Sequence, residues 1–513
     1  MLALTLATGI EQWTGSGLNV ALTDLTGALG SSADEASWAI TIYGVAFAIA
    51  VTLSHRLASY FGNRRLLTAS SALYALASLG CAASTSLGVF LCFRTFQGLA
   101  GGTFLVRTLV FITHRYARQK RAGILRIYGA GFFFIGRFAA PILAGWFADN
   151  MSWRFLFLFT VPVMALSGWF FHRYAAKHWN DEVETHTPDF LGIVLLVIGV
   201  AAAQVALSRG EIDGWFESSL IVTMASVAIL GNLLFVVWQL VPMNRTPLLH
   251  LAFLRDRGLF SAAVLGIVLG MLLGGSLYVI PQYLRRVESH SAFQTGMLMS
   301  ISGVTSIGVL LLTPTLARMI GKLGGKSVMI IALAAQMLSM GMLGHLLTDN
   351  TPDRDLWIPL LLNGIFVGIA VPTLALAAFA RMAEHHSSSA RAIYYGARQL
   401  GASLGVTLVV VLIDRRAAFH SSRLIDSLFS RNLAMLGITA DPQTAVGARK
   451  LAGMVFKQSL VLTYADVFYA MAALAAITLL FLPLLPSFSS PQRQPASRNA
   501  LPLPGNDSNQ VIS

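Results

Sequence analysis

Leu91-Cys92-Phe93-Arg94-Thr95-Phe96-Gln97-Gly98-Leu99-Ala100-Gly101-Gly102 is an apolar, glycine-rich stretch that carries a single arginine. Apolar sequence continues on both sides for about a bilayer thickness, which makes it the middle of a membrane-spanning helix. An arginine at that depth is costly unless it faces a partner or water. The glycines let neighbouring helices approach closely. A helix that combines a buried charge with a close-packing face is more than an anchor, so the rest of the chain is read as the surroundings of Arg94.

The composition places those surroundings in a membrane. Of 513 residues, 55% are hydrophobic and 12% charged, and the mean hydropathy is +0.68. Soluble domains carry about 25% charged residues. The formal net charge of +13 would suggest nucleic acid in a soluble protein. Here it is assigned to topology, and no nucleic acid partner is expected. Cys81 and Cys92 fall inside expected spans and give neither a metal spacing nor a disulfide framework. The N-terminus lacks a basic region, so no cleavable signal peptide is expected.

Fourteen apolar segments of spanning length are expected, centred near Glu11, Ala46, Leu76, Gly98, Ile135, Val161, Ile198, Ala228, Met271, Ile307, Ala334, Phe366, Leu404 and Leu474. Basic residues collect in alternate connections: Arg56, Arg64 and Arg65, then Arg115, Arg118, Lys120 and Arg121, then Arg318, Lys322 and Lys326. The other short connections are poorer in them, Arg285-Arg286 being the exception. The basic side is read as cytoplasmic, with both termini on it. The basic connection 414–463 then falls outside, as long loops cross largely regardless of charge. A miscounted helix is the alternative. The tail after Pro486 has a disordered composition.

The two halves of the chain echo each other. Leu57-Ala58 with Gly62 matches Leu316-Ala317 with Gly321. Gln97-Gly98 with Gly102 matches Asn363-Gly364 with Gly368, and Tyr128-Gly129-Ala130 matches Tyr395-Gly396-Ala397, in the same order. The expected architecture is all-α and polytopic. It has an N-terminal six-helix bundle (1–175), an inserted helix pair with linkers (176–257), a C-terminal six-helix bundle (258–485, with external loop 414–463) and a cytoplasmic tail (486–513). Paired bundles with a site between them describe a secondary transporter.

These residues resemble a known family, the fourteen-helix drug:proton antiporters of the major facilitator superfamily, over nearly the whole chain. Leu91 to Gly102 is similar to that family's fourth-helix motif. Gly136, Ala140-Pro141 and Ala144-Gly145 resemble its fifth-helix antiporter motif, with alanine at two positions that are normally glycine. Trp38 with Tyr43, Ser152-Trp153-Arg154 and Tyr395 to Val406 fit further helices. The resemblance implies the major facilitator fold and proton-coupled export of small amphipathic or aromatic compounds. It implies no cofactor beyond the proton gradient, a bacterial inner-membrane location, and a periplasmic adaptor with an outer-membrane channel as partners, for which loop 414–463 is the natural contact. It also implies a gate loop at Ser59, Gly62 and Arg64, but Ser59 stands where the family usually has an aspartate and His55 where it has glycine. Helix one usually has an acid at the position of Thr14; this chain has Glu11, about one turn earlier.

Proton coupling requires a group that changes protonation between states, and a deep carboxylate suits this. Glu11 is the lone acid read near mid-bilayer; Asp24, Asp149, Asp189, Asp414 and Asp466 are placed at helix ends. Arg94, near the same depth, is expected to hold Glu11 ionised until a proton or substrate competes. The resemblance also implies a coupling role for Arg94. Arg107 and Arg126 are expected to snorkel to the cytoplasmic surface. Arg137, about 24 Å along its helix from Arg121 and about 18 Å from Asp149, is expected to point into the bundle, with Arg398 as a second such cation. Trp13 and Tyr43 are candidates for lining a cavity that takes flat molecules. One acid against three arginines favours an anionic or neutral aromatic substrate over a lipophilic cation. An enzyme would need a catalytic cluster; no GxxxxGK[ST] loop or HExxH occurs. A non-transporting receptor explains neither the repeat nor the intramembrane charges.

Overall fold

The computed structural model describes residues 1–482 except 117, 176–188, 212, 242–243, 245–246, 250–256, 313–323, 349–350, 380–386 and 431–443. The N-terminal helices are α1 (Leu2–Leu29), α2 (Ala33–Phe61), α3 (Asn63–Ala83), α4 (Leu87–Arg115), α5 and α6 (Phe155–Tyr174). Helix α5 runs through Arg118–Phe133, a π-helical turn Phe134–Ala139 and Ala140–Asn150. The inserted pair is α7 (Phe190–Arg209) and α8 (Ser219–Leu240). The second bundle comprises α9 (Arg257–Arg286), α10 (Ala292–Leu311), α11 (Gly325–Leu346), α12 (Asp353–Phe379), α13 (Ser387–Ser430) and α14 (Ala445–Phe481).

Among the described residues, 13 helices, α2 to α14, are long and apolar enough to cross a membrane. The fourteenth is α1, whose 28 residues span about 42 Å. Glu11, Asp24 and several Thr, Gly and Asn residues dilute its hydropathy. It is buried against α5, α6 and α9 instead of facing lipid.

The repeat read from sequence is a repeat of packing. In the first bundle α2 packs on α4, α3 on α4 and α3 on α6; in the second, α10 packs on α12, α11 on α12 and α11 on α14. A Cβ on Gly98 or Gly102 would fall 2.6 Å from the Tyr43 carbonyl oxygen or 2.4 Å from that of Phe47, on α2. Gly364 and Gly368 abut the Ser302 and Ser306 carbonyls of α10 in the same way. Gly129 faces Leu310 of α10 and Gly396 faces Thr52 of α2, so the glycines of this pair each touch the opposite half. Capping boxes start α2 (Ser32 with Glu35) and α10 (Ser291 with Gln294). The third match, Leu316 to Gly321, lies outside the described residues.

The fifth-helix motif explains a local irregularity. Pro141 has no amide hydrogen, and its ring would clash with the Arg137 carbonyl in a regular helix. The ladder widens to a π turn just before it. This brings the α5 backbone against α10, where Gly296 meets the Pro141 carbonyl and Gly303 the Arg137 carbonyl, while Gly145 of α5 meets that of Ala292. Ala140 and Ala144, where the motif normally has glycines, face Gly17 of α1, which supplies the missing space.

The connection expected over 414–463 is corrected. Helix α13 continues to Ser430, and α14 begins at Ala445. The 44 residues of α13 span about 66 Å against a hydrocarbon core of about 30 Å. Residues 414–430 contain neither glycine nor proline, so the helix persists after its apolar character ends. Asp414 and Asp466 are therefore inside helices. His420 and Arg416 of α13 hold Asp466 of α14 at 2.7 and 3.3 Å.

At one end the halves are fastened together. Arg285 donates to both carboxylate oxygens of Asp24, at 2.8 and 2.9 Å. Asp149 at the end of α5 accepts from the Ala292 and Phe293 amides that begin α10, at 3.0 and 2.8 Å. Gln282 donates to the Asn19 carbonyl at 3.3 Å. Arg285-Arg286, the exception to the charge pattern, is thus explained: Arg285 pairs with Asp24, and Arg286 lies in electrostatic range of Asp414.

Helix α7 packs on α8, α2 and α13. Just before α7, Asp189 accepts from the Gly192 amide, Trp238, Gln239 and Asn244 at 2.7 to 3.0 Å. Burial alone would raise its proton affinity; the four donors outweigh burial and hold the carboxyl below its ordinary range.

Candidate functional site

Glu11 lies within α1 and is 5% exposed. Tyr43 of α2 donates its hydroxyl to Glu11 Oε1 at 2.8 Å. Tyr74 of α3 meets the Thr14 hydroxyl one turn further along α1. Gly101 of α4 makes room for this group: a Cβ there would lie 2.8 Å from the Tyr43 oxygen, 3.2 Å from Glu11 Cγ and 3.3 Å from the Tyr74 ring.

Arg94 is almost fully buried and lies over the face of Tyr43, 4.2 Å from the ring centroid. Its Nε donates to the Ala39 carbonyl at 3.0 Å, and its terminal nitrogen to Gln97 Oε1. Gln97 in turn donates to Ser78 of α3 at 2.7 Å. No Glu11–Arg94 ion pair forms: Tyr43 stands between them, bonded to one and stacked on the other. The Arg94 donors are engaged by a carbonyl and an amide, so Arg94 influences Glu11 without touching it. Arg94 acts on Glu11 only through the field, as does Arg398 from the other half.

Arg398 of α13 lies beside Tyr395, 5.5 Å from the ring centroid. Among the described residues it has neither a hydrogen-bond acceptor nor a carboxylate within ion-pair distance, and its Nε is buried. Arg137, half-buried in the π turn of α5, likewise has no such partner among the described residues. Tyr128 lies in electrostatic range of both Glu11 and Tyr395. Glu11 therefore stands beside Tyr43 in the field of Arg94 and Arg398, whereas no contact brings Arg137 to this group.

Trp13 departs from expectation. It is 1% exposed, donates to the Leu156 carbonyl of α6 at 3.1 Å and packs on Phe159. Two residues along a helix turn a side chain by about 200°, so Trp13 points away from Glu11 and is packing. Arg107 does not snorkel: it is fully buried and donates to Asn63 Oδ1 at 3.3 Å. Asn63 follows Gly62, whose φ of +75° makes the turn from α2 to α3. Ser59, in the aspartate position of the gate loop, is buried and bonded back to the Arg56 carbonyl at 2.8 Å, and Arg64 is half-buried. The α2–α3 turn is thus tied to α4 by Asn63 and Arg107, one turn beyond the usual aspartate. Gly136 packs against Gln12 of α1; Pro141 and Gly145 line the seam with α10.

Gln97 and Gly101 belong to the fourth-helix stretch read from sequence, but neither they nor Ser78 and Tyr74 are site candidates there. Gln97 and Gly101 follow Arg94 at helical spacing on the same face, which is the signal that marks them. Ser78 and Tyr74 lie on α3, where only the fold places them beside α4.

A family model described as Major Facilitator Superfamily matches residues 4–406. The chain is similar to the "Multidrug export protein EmrB" of Haemophilus influenzae, with 28% identity over 432 residues, 83% of this chain and 82% of that protein. It is similar to the "Fatty acid resistance protein FarB" of Neisseria gonorrhoeae, with 27% identity over 432 residues and 83% of each chain. The fold is that of the xylose transporter XylE from E. coli in a partially occluded inward open conformation, with a TM-score of 0.58 at 14% identity, covering 95% of this chain and 97% of that one.

Proposed function

Since this chain belongs to the Major Facilitator Superfamily, we propose that it exports small amphipathic or aromatic compounds across the bacterial cytoplasmic membrane in exchange for protons. The observation that carries this reading is the buried Glu11 carboxylate, bonded to Tyr43 and in the field of Arg94 of its own half and Arg398 of the other. An ionised carboxylate there is held by one hydroxyl and two distant cations. A proton arriving from the far side removes the charge, and an arriving substrate changes the field again. Each event alters the stability of one conformation relative to the other, which is what coupling requires. The multidrug export name of a relative supports the export direction.

In this reading residues 1–175 and 258–485 are the moving bundles, 176–257 carries the inserted pair, and both termini are cytoplasmic. The fastened end at Asp24–Arg285 then faces outward, and the conformation faces inward. Proteoliposomes with an imposed pH gradient test the proposal: ethidium should move uphill with wild type and not with Glu11→Gln. Undiminished uphill movement by that variant, correctly inserted, would reject Glu11 as the coupling group.

A second reading, a dedicated exporter of an anionic aromatic metabolite, is favoured by Arg398, whose buried Nε has no hydrogen-bond partner and whose charge reaches Glu11. The fatty acid resistance named for one relative agrees with it. Uptake of salicylate, but not ethidium, into inverted vesicles would select it. For partners, the proposal keeps a periplasmic adaptor and outer-membrane channel, supported by the extent of α13 and α14 beyond the bilayer. Trimming both helices there should lower cellular resistance and spare transport in proteoliposomes; equal loss in both would reject the partner.

A further inference from the structure

The inserted pair is held by both halves at once. The first hold is apolar: Leu196 and Val200 of α7, with Phe235 of α8, pack on Val45 and Ile49 of α2. The second lies further along α7 and is polar. Gln204 Oε1 accepts from Ser403 of α13 at 2.9 Å, and its amide donates to Thr407 of α13 at 3.0 Å and to Ser208 at 2.7 Å. The Ser403 hydroxyl also lies 3.3 Å from the Thr41 carbonyl of α2. Just past the end of α7, Glu211 accepts from Trp215 and from Arg415 of α13, both at 2.7 Å.

Three helices therefore meet at one buried polar node, Thr41 from α2, Gln204 from α7, and Ser403 with Thr407 from α13. Its position along the bundle is fixed by its neighbours. Arg209, one turn beyond, is in electrostatic range of Asp34 and Glu35 at the start of α2, and Glu211 is in range of Asp414. This is the end that Asp24 and Arg285 fasten.

The geometry has a mechanical consequence. Helices α2 and α13 belong to opposite halves, and they must part at this end for it to open. Helix α7 cannot follow both. Its apolar hold on α2 lies nearer the middle of the bundle, where displacement is smaller, and apolar contacts tolerate sliding. Its polar hold lies where displacement is larger, and hydrogen bonds are lost over about 1 Å. In lipid, no water replaces them.

We propose that Gln204 makes α7 a clamp across the α2–α13 seam, which holds this end closed and must release α13 for the end to open. The clamp gives the inserted pair a function in the cycle. It rests on the two halves rocking against each other and not on which compound is moved or on proton coupling. An accessibility measurement therefore fails or succeeds independently of any transport assay.

The reporter is Asn19→Cys, placed in protein whose Cys81 and Cys92 are replaced by serine. Asn19 is buried on α1, where its carbonyl accepts from Gln282 of α9 and its side-chain amide donates to the Gly15 carbonyl of its own helix. In detergent micelles, its rate of labelling by a maleimide reports opening of this end. Gln204→Leu removes the node and keeps the bulk of the side chain. It should raise that rate about eightfold, the effect of its two intramembrane hydrogen bonds to α13. Thr407→Val, which removes a partner on α13 with little change of shape, should raise it in the same direction, and it carries the test should Gln204→Leu fail to fold. Ser226→Ala, which removes a bond made within α8 alone, should leave it unchanged. Rates within twofold of the parent for the folded node variants would overturn the clamp, as would an equal rise in Ser226→Ala.

Discussion

Reversing one member of the Asp24–Arg285 pair should release the fastened end, and exchanging the two residues should fasten it again. The pair is bidentate, with side chains 12% (Arg285) and 29% (Asp24) exposed. Two unit charges 4 Å apart attract by about 4 kcal/mol at an effective dielectric of 20. Desolvation and side-chain ordering offset most of that, leaving a half-buried pair worth about 1 to 2 kcal/mol. Loss of that amount shifts the closed-to-open equilibrium by about 5- to 30-fold. Asp24→Arg should then speed labelling of Asn19→Cys by about tenfold. Arg285→Asp should do more, because Arg285 also donates to the His290 carbonyl at 3.2 Å. The doubly exchanged protein, Asp24→Arg with Arg285→Asp, should return to within about twofold of the parent. Raised salt should narrow the difference between parent and single variants. Single reversals without effect, or an exchange that restores nothing, would refute the pair as a fastening.

Further outcomes follow from other contacts. Asp189→Asn leaves donors facing an amide and should cost about 1 to 3 kcal/mol, read as a lower melting temperature of the purified protein. The carboxyl of Asp189 is held below its ordinary range, so its contribution is present above the unfolded-state value and lost only as pH falls through the lower folded-state value. The melting-temperature gap between wild type and Asp189→Asn should therefore be constant from about pH 6 to about pH 8 and close only in acid. Gly101→Ala drives a methyl into the Tyr43 hydroxyl and Glu11; uphill efflux should fall while folding survives, and unchanged efflux would show that the Glu11–Tyr43 bond is dispensable. An impermeant thiol reagent should reach Ser430→Cys from outside intact cells and fail to reach Ser513→Cys; the reverse would invert the topology.

Much of this architecture was legible because lipid leaves few choices. Apolar runs marked the helices, and Gly98, Gly102, Gly364 and Gly368 marked the close contacts that repeat in both bundles. The extension of α13 past Ile413 was not legible. Hydropathy detects where a helix leaves lipid, whereas helix continuation depends on backbone hydrogen bonds that Asp414, Arg415 and Arg416 do not interrupt. At the site, depth along the chain pointed to Glu11, Arg94, Arg137 and Arg398. Depth alone says nothing of azimuth, so Trp13 was placed beside Glu11 although it faces α6. Partners were also out of reach: the sequence does not show that the Ala39 carbonyl and Gln97 claim the Arg94 guanidinium and leave Glu11 to Tyr43. The link between Gln204 and Ser403 joins residues 199 apart in sequence, on helices whose adjacency only the fold supplies.

If Glu11 exchanges a proton against substrate, substrate binding must release a proton. Purified wild-type protein in weakly buffered detergent solution should release protons when ethidium is added. Glu11→Gln should release none while still binding the dye. Equal proton release from both proteins would contradict the account and place the coupling group elsewhere.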